Sequence, residues 1–145
     1  MPPNPGHQQL QASSEEIAAI LKSYRVVALV GLSTDPQRPS YQVAHYLQQH
    51  GYRIVPVNPG QTEILGEKSY PSLKDIPFPV EVVDIFRQPE AIPAIVSEAI
   101  EVGAKVVWMQ LGLVAEDAAR RARKAGLQVV MDRCMKIEHA YHGGG

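Results

Sequence analysis

The sequence has one cysteine, Cys134, which excludes an intramolecular disulfide and a cysteine-based zinc cluster. It has no excess of either charge. Fourteen Lys and Arg stand against 15 Asp and Glu, for a formal net charge of -1. Bulk electrostatics therefore does not recruit nucleic acid, and an anionic ligand has to be held by local groups. No apolar run approaches the roughly 18 residues of a membrane span, and no stretch reads as a signal peptide. No membrane partner is expected, and the expected location is cytoplasmic. The 145 residues are 45% hydrophobic and 20% charged, enough to build one ordinary domain with a core of its own.

The stretch Val26-Val27-Ala28-Leu29-Val30 is a buried-strand run. Gly31 ends it and lets the backbone turn. A polar, proline-punctuated loop follows, and a helical pattern opens at Ser40. A strand, a glycine turn and a helix N-terminus together bind phosphate through backbone N–H groups and the helix dipole. Several nucleotide signatures are missing from it. There is no second or third glycine at the G-x-G-x-x-G spacing, and strand 2 ends in Asn58 rather than in an acid for a ribose hydroxyl, which disfavours NAD. There is no Gly-Lys-Ser/Thr of a Walker loop. Gly31-Leu32-Ser33 stands where a receiver-type site needs acids. What remains is Ser33, Arg38 and Ser40: two hydroxyls that donate to phosphate oxygens and a guanidinium that forks onto two of them. The plainer alternatives are an N-cap for Ser40 and a solvated loop position for Arg38.

Along the chain, residues 1–12 read as a flexible tail. Ser13 and Glu16 fit a capping box. Ile17, Ile20, Leu21 and Tyr24 then recur at helical spacing. Strands are expected at about 25–30, 52–57, 82–86, 105–109 and 127–131. Helices are expected at about 40–49, 89–102 and 115–125, with a short last helix within 132–139. Leu65-Gly66 marks a tight turn, and Pro77 and Pro79 confine the helix before them to one turn. A single domain over 13–140, with a flexible tail at 141–145, is expected to be α/β, a Rossmann-like doubly wound sheet of five mainly parallel strands flanked by helices. Ligands then sit at the carboxyl ends of the strands near the switch point, with the loops after strands 1 and 4 side by side. Those ends hold the polar, glycine and arginine content of the sheet: Gly31-Leu32-Ser33, Val57-Asn58-Pro59, Phe86-Arg87-Gln88-Pro89, Trp108-Met109-Gln110-Leu111-Gly112 and Met131-Asp132-Arg133-Cys134.

Gly31-x-Ser33, Arg38-Pro39-Ser40, Pro56-Val57-Asn58-Pro59, Glu63-x-Leu65-Gly66, Val83-Asp84-Ile85-Phe86-Arg87, the 103–112 segment around Trp108, Gln110 and Gly112, and Asp132-Arg133-Cys134 together resemble the small stand-alone CoA-binding proteins. Their single domain is similar to the CoA-binding domain of the succinyl-CoA synthetase alpha subunit. The resemblance covers about residues 14–139 and touches all five strand ends in order. It implies that coenzyme A is the ligand. The diphosphate would lie on Gly31, Leu32, Ser33, Arg38, Pro39 and Ser40. The adenosine would lie near Val57, Asn58 and Pro59, and the pantetheine arm would pass Phe86, Arg87, Trp108, Gln110 and Gly112. Arg38 and Arg87 meet the ligand's negative charge, and Phe86 or Trp108 offers an apolar wall. Trp108 alternatively belongs to the core, and Arg87 to a surface ion pair.

Cys134 lies on the same edge beside Arg133. It reads either as a half-buried structural cysteine or as a thiolate able to form a mixed disulfide with the CoA thiol. The five histidines (His7, His45, His50, His139, His142) fall in helices or tails, so the ligase's phosphohistidine chemistry is not carried over. Asp84, inside a buried run, is expected to be a satisfied core carboxylate with a raised pKa. No paired carboxylates, triad or metal cluster can be assembled. The expectation is a binder of CoA or an acyl-CoA without catalysis of its own. The alternatives are a subunit or accessory of a CoA-dependent ligase or acyltransferase acting with a partner chain, and a CoA-responsive regulatory protein. A homo-oligomer is also open.

Overall fold

The structure, a computed structural model, describes residues 10–142. Its elements in chain order are α1 (Ser14–Ser23), β1 (Val26–Val30), α2 (Pro39–Gln49), β2 (Arg53–Val57), β3 (Glu63–Ile64), β4 (Glu67–Lys68), β5 (Val82–Ile85), α3 (Ile92–Glu101), β6 (Val106–Met109), α4 (Glu116–Lys124), β7 (Gln128–Val130) and α5 (Met135–Tyr141). Five strands form one sheet in the order β2-β1-β5-β6-β7, and every pairing in it is parallel. The chain is thus a Rossmann-like α/β domain with helices on both faces.

Alternation along the strands builds two core layers. Val27, Leu29, Ile54, Val82, Val106, Trp108 and Val130 point to one face, under α1, α2 and α5. Ala28, Val30, Val55, Val83, Ile85, Val107 and Val129 point to the other, under α3 and α4. Burial on both faces explains why the strands read as unbroken apolar runs rather than as alternating ones. Helix α1 buries Ile17, Ile20 and Leu21, as their spacing foretold, and α2 and α3 bury similar stripes: Val43, Ala44 and Leu47 on α2, and Ile92, Val96 and Ala99 on α3.

Several details differ from the sequence expectation. The loop after β1 neighbours the loop after β5, the third sheet strand, and not the loop after β6. Hydrophobic period defines a strand but carries no information on its neighbours. Here the 58–81 connection first runs outside β2, where Tyr70 N–H donates to Pro56 O at 3.0 Å and Asn58 N–H to Tyr70 O at 3.0 Å, and then delivers β5 beside β1. That connection also holds the β3–β4 hairpin, closed by Leu65 (φ 54) and Gly66 (φ 77), the left-handed pair that a tight hairpin requires. Leu10 and Ala12 are buried, and Ala12 N–H donates to Val129 O at 3.2 Å, so residues 10–12 are packed on β7 rather than loose. The rest of that tail, with His7, lies outside the described residues, as do residues 143–145; Tyr141 is the last residue of α5.

The capping box is half formed. Ser13 caps α1 through Glu16 N–H, but the Glu16 carboxylate turns away to Arg123 (2.9 Å) and Gln128 (3.0 Å). Burial raises the pKa of Glu16, yet those two hydrogen bonds and the Arg123 charge leave it lowered. The carboxylate is better used in tying α1 to α4 and β7 than in closing its own helix end.

Candidate functional site

A cleft of about 500 Å³ opens at the carboxyl ends of β1, β5 and β6. Its lining includes Gly31, Ser33, Arg38, Pro39 and Ser40 from the first loop and Phe86 and Arg87 from the second. Gln110 and Leu111 close it from the third. The β1/β5 boundary is where the strand order reverses, the place such sheets reserve for ligands.

The first loop is held in shape before any ligand arrives. Gly31 has φ +91, and a Cβ there would stand 2.7 Å from Phe86 O and 2.8 Å from Arg87 Cδ, so only glycine lets the two loops approach this closely. Leu32 is fully buried and anchors the loop in the core; removing such a side chain costs about 2–5 kcal/mol. Asn58 Nδ2 donates to Leu32 O at 2.9 Å while its Oδ1 accepts from Gly60 N–H at 2.9 Å. Ser40 Oγ accepts from Ser33 N–H at 3.0 Å, and Ser33 Oγ accepts from Asp35 N–H at 3.0 Å. Both hydroxyls keep their own hydrogen free to donate outward.

Helix α2 begins with Arg38 at the N-cap and Pro39 at the first helical position. No side chain caps this end, so its free N–H groups and partial positive charge face the cleft mouth. Arg38 and Arg87 make no salt bridge among the described residues. Two unpaired guanidinium groups beside an uncapped helix start suit a polyanion such as a diphosphate.

Of the residues singled out from sequence, Gly31, Ser33, Arg38, Pro39, Ser40, Phe86, Arg87 and Gln110 meet in this cleft. Leu32, Asn58, Trp108 and Cys134 lie behind its lining. Trp108 is fully buried, and its Nε1–H donates to Arg133 O at 2.9 Å, so the ring packs in the core. Cys134 is buried at the start of α5 in the same layer. Gly112 N–H donates to Asp132 Oδ1 at 2.7 Å, which joins the loop after β6 to the loop after β7. Pro59 is exposed, and Val57 lines a smaller hollow of about 140 Å³ with Val30, Pro71, Leu73 and Ile95. Gln88, Pro89, Leu111 and Leu113 also line the main cleft; the first three were read on the strand-end edge without a ligand role, and Leu113 was not named. Their neighbours along the chain were the available signal.

Among the described residues, two buried polar side chains near the cleft have atoms without partners. Neither oxygen of Asp84 has a hydrogen bond, and burial alone raises its pKa well above the usual carboxylate range. The carboxyl group expected to be satisfied therefore has no hydrogen-bond partner among the described residues, and its burial favours the protonated form. Gln110 Oε1 is likewise buried without a donor. The histidines lie elsewhere. His139 is buried at the amino end of the sheet, with Nδ1 2.9 Å from Tyr46 Oη, and His50 stacks on Tyr46. Among the described residues no group of three or more His, Cys, Asp or Glu is placed to hold a metal ion, and no helix is long and apolar enough to cross a membrane.

Fold and cleft together define a Rossmann-like domain of the doubly wound class, with a cleft and an uncapped helix start after the first strand. Residues 25–140 match the family model of the CoA binding domain, and the chain belongs to that family. It is similar to YneT of Bacillus subtilis, with 43% identity over 128 residues covering 88% of this chain and 95% of that one. A solved structure of a protein from Pyrococcus horikoshii OT3 superimposes with a TM-score of 0.88 at 42% identity, covering 97% of each chain. The alpha subunit of ADP-forming acetate–CoA ligase II from Pyrococcus furiosus is 27% identical over 128 residues. The match takes in 81% of this chain but only 28% of that subunit, so this chain spans about a quarter of the ligase subunit's length. The domain thus occurs both in small proteins and within larger ligase subunits.

Proposed function

We propose that the protein binds coenzyme A or an acyl-CoA, with no catalysis of its own. The diphosphate lies on the 31–40 loop and the start of α2, between Arg38 and Arg87. The adenosine lies toward Val57, Asn58 and Pro59, with the hollow between Val57 and Ile95 beside them. The pantetheine arm crosses Phe86 toward Gln110 and Leu111. The observation that carries this reading is the pairing of two unpaired arginines with an uncapped helix start at the strand-order reversal of a CoA-binding-family domain. Local charge of this kind is what a chain of net charge -1 needs to hold a polyanion. Calorimetric titration with CoA, using dephospho-CoA and NAD as controls, tests it. Saturable CoA binding is expected, and none at millimolar concentration overturns the proposal.

A second reading is favoured by the ligase relatives. In it, the CoA-loaded domain works beside a separate chain that supplies the catalytic groups. Co-purification of a chain that confers CoA-dependent turnover on the pair would establish it. A CoA-dependent change in oligomeric state would instead favour a regulatory role.

A further inference from the structure

The two outer strands of the sheet, β2 and β7, are covered by unlike means. On β2 the cover is main chain, the pairing with Tyr70. On β7 it is chiefly a side chain. Gln128 N–H donates to Lys105 O at 2.9 Å on the β6 side, so alternation turns the backbone groups of Val129 and Met131 outward. Gln11 meets both groups of Met131. Its Nε2 donates to Met131 O at 2.6 Å, and its Oε1 accepts from Met131 N–H at 2.8 Å. A carboxamide carries the same donor and acceptor as a peptide group, so Gln11 copies the pairing that a neighbouring strand would make. Val129 O accepts from Ala12 N–H at 3.2 Å and from Arg123 Nη2 at 3.2 Å. Leu10 and Ala12 are buried in opposite core layers, so residues 10–12 straddle the sheet edge with Gln11 between two anchors.

The strand itself carries none of the usual guards. Open edges are commonly protected by lysine, proline or a bulge, because unpaired backbone groups are a template for another chain. Leu127-Gln128-Val129-Val130-Met131 has no charge, no proline and no glycine, and its paired valines favour an extended chain. Protection of this edge falls to the segment 10–12 and to Arg123, which also holds Glu16 at 2.9 Å.

We propose that the outer edge of β7 is a strand-pairing surface for a second copy of this chain, and that residues 10–12 are the strap that keeps it closed. The occupant follows from the edge's own chemistry. Two β7 edges related by a twofold axis run antiparallel. Each then offers the other the outward groups of Val129 and Met131 that the strap now satisfies. The facing segments are neutral, so no like charges meet across the join.

The test uses the whole chain. Gln11→Ala removes the Met131 bonds and keeps both buried anchors; a double variant adds Leu10→Ser and loosens one anchor. Mass by light scattering over a concentration series and amide exchange at Met131 are measured on the same samples. In dilute solution Gln11→Ala should exchange the Met131 amide about tenfold faster than wild type. As concentration rises, its mass should climb toward twice the dilute value while Met131 regains protection. The double variant should do so at lower concentration. A mass independent of concentration in the variants overturns the proposal. So does a rise in mass that leaves Met131 unprotected, since association then uses another surface, and so does unchanged Met131 exchange in dilute Gln11→Ala. If the double variant fails to fold, the single variant decides.

Discussion

The two ends of the sheet dispose of their polar groups in opposite ways. At the amino end they are paired within the protein. Glu81 Oε1 accepts from Arg25 N–H at 2.8 Å and from Val26 N–H at 3.0 Å, and Tyr52 Oη donates to Leu21 O at 2.7 Å. Arg25 lies 4.8 Å over the Tyr52 ring and Arg53 lies 3.8 Å over Phe78. His139, deep among Tyr46, His50 and Tyr52, bonds Tyr46. Among the described residues, Arg38 and Arg87 at the carboxyl end have no carboxylate, the start of α2 has no side-chain cap, and Gln110 Oε1 and Asp84 have no partners. One end uses its polar groups to hold the fold. The other leaves several of them without a partner inside the fold.

The most severe way to break this contrast is Gly31→Ala. The methyl group meets Phe86 O, and φ +91 is strained for any L residue. A loss of about 2–4 kcal/mol is expected, read as a fall in Tm of roughly 5–15 °C. CoA binding should be lost with it. An unchanged Tm would mean the two loops are not packed as described.

Arg38→Ala should weaken CoA about tenfold or more, the worth of a charge-assisted bond, while leaving Tm within a degree or two. A drop in Tm instead of affinity would move Arg38 to the fold-holding class.

Asp84→Asn sharpens the comparison through pH. Burial raises the carboxyl pKa above its unfolded value, so the fold keeps the proton that the unfolded chain releases above about pH 4. Stability is then full below that pH and falls as pH rises. The variant, which cannot ionise, should melt a few degrees higher than wild type at pH 7 and match it near pH 3.5. Equal melting at both pH values would show that Asp84 finds a partner in solution.

His139→Gln has the smallest expected effect and tests the amino end. Burial, together with the charges of His50 and Arg25, lowers the pKa of His139. Its stability contribution is therefore present above about pH 6.5 and is lost as pH falls below it. Denaturant unfolding at pH 7 and pH 5 should show a smaller pH dependence in the variant than in wild type. An identical dependence would place the acid sensitivity elsewhere.

The layered fold was legible because burial on both faces writes itself as apolar runs, as in 26–30 and 82–85. The first helix was legible from Ile17, Ile20 and Leu21 at helical spacing. Strand order was not, since β5 and β6 carry the same pattern and only the path of the 58–81 connection separates them. That Gly31, Ser33, Arg38 and Ser40 share one cleft wall could be read because they lie close in sequence. Residue types at the other strand ends were readable, but their directions were not. Trp108 and Gln110 are two apart and share a face, yet one packs beneath the cleft floor and the other forms it. Asp84 shows the same limit: a buried acid is visible in a sequence, but whether anything bonds it is decided by side chains from distant segments.

The Ser40–Ser33 and Asn58–Leu32 hydrogen bonds have a kinetic consequence. If CoA binds there as proposed, a loop that these bonds hold in shape does not have to fold around the incoming ligand. Capture should therefore run at a rate set by diffusion and by the pull of Arg38 and Arg87, slowing as salt screens them. Differences in affinity among ligands should appear instead in how long each one stays.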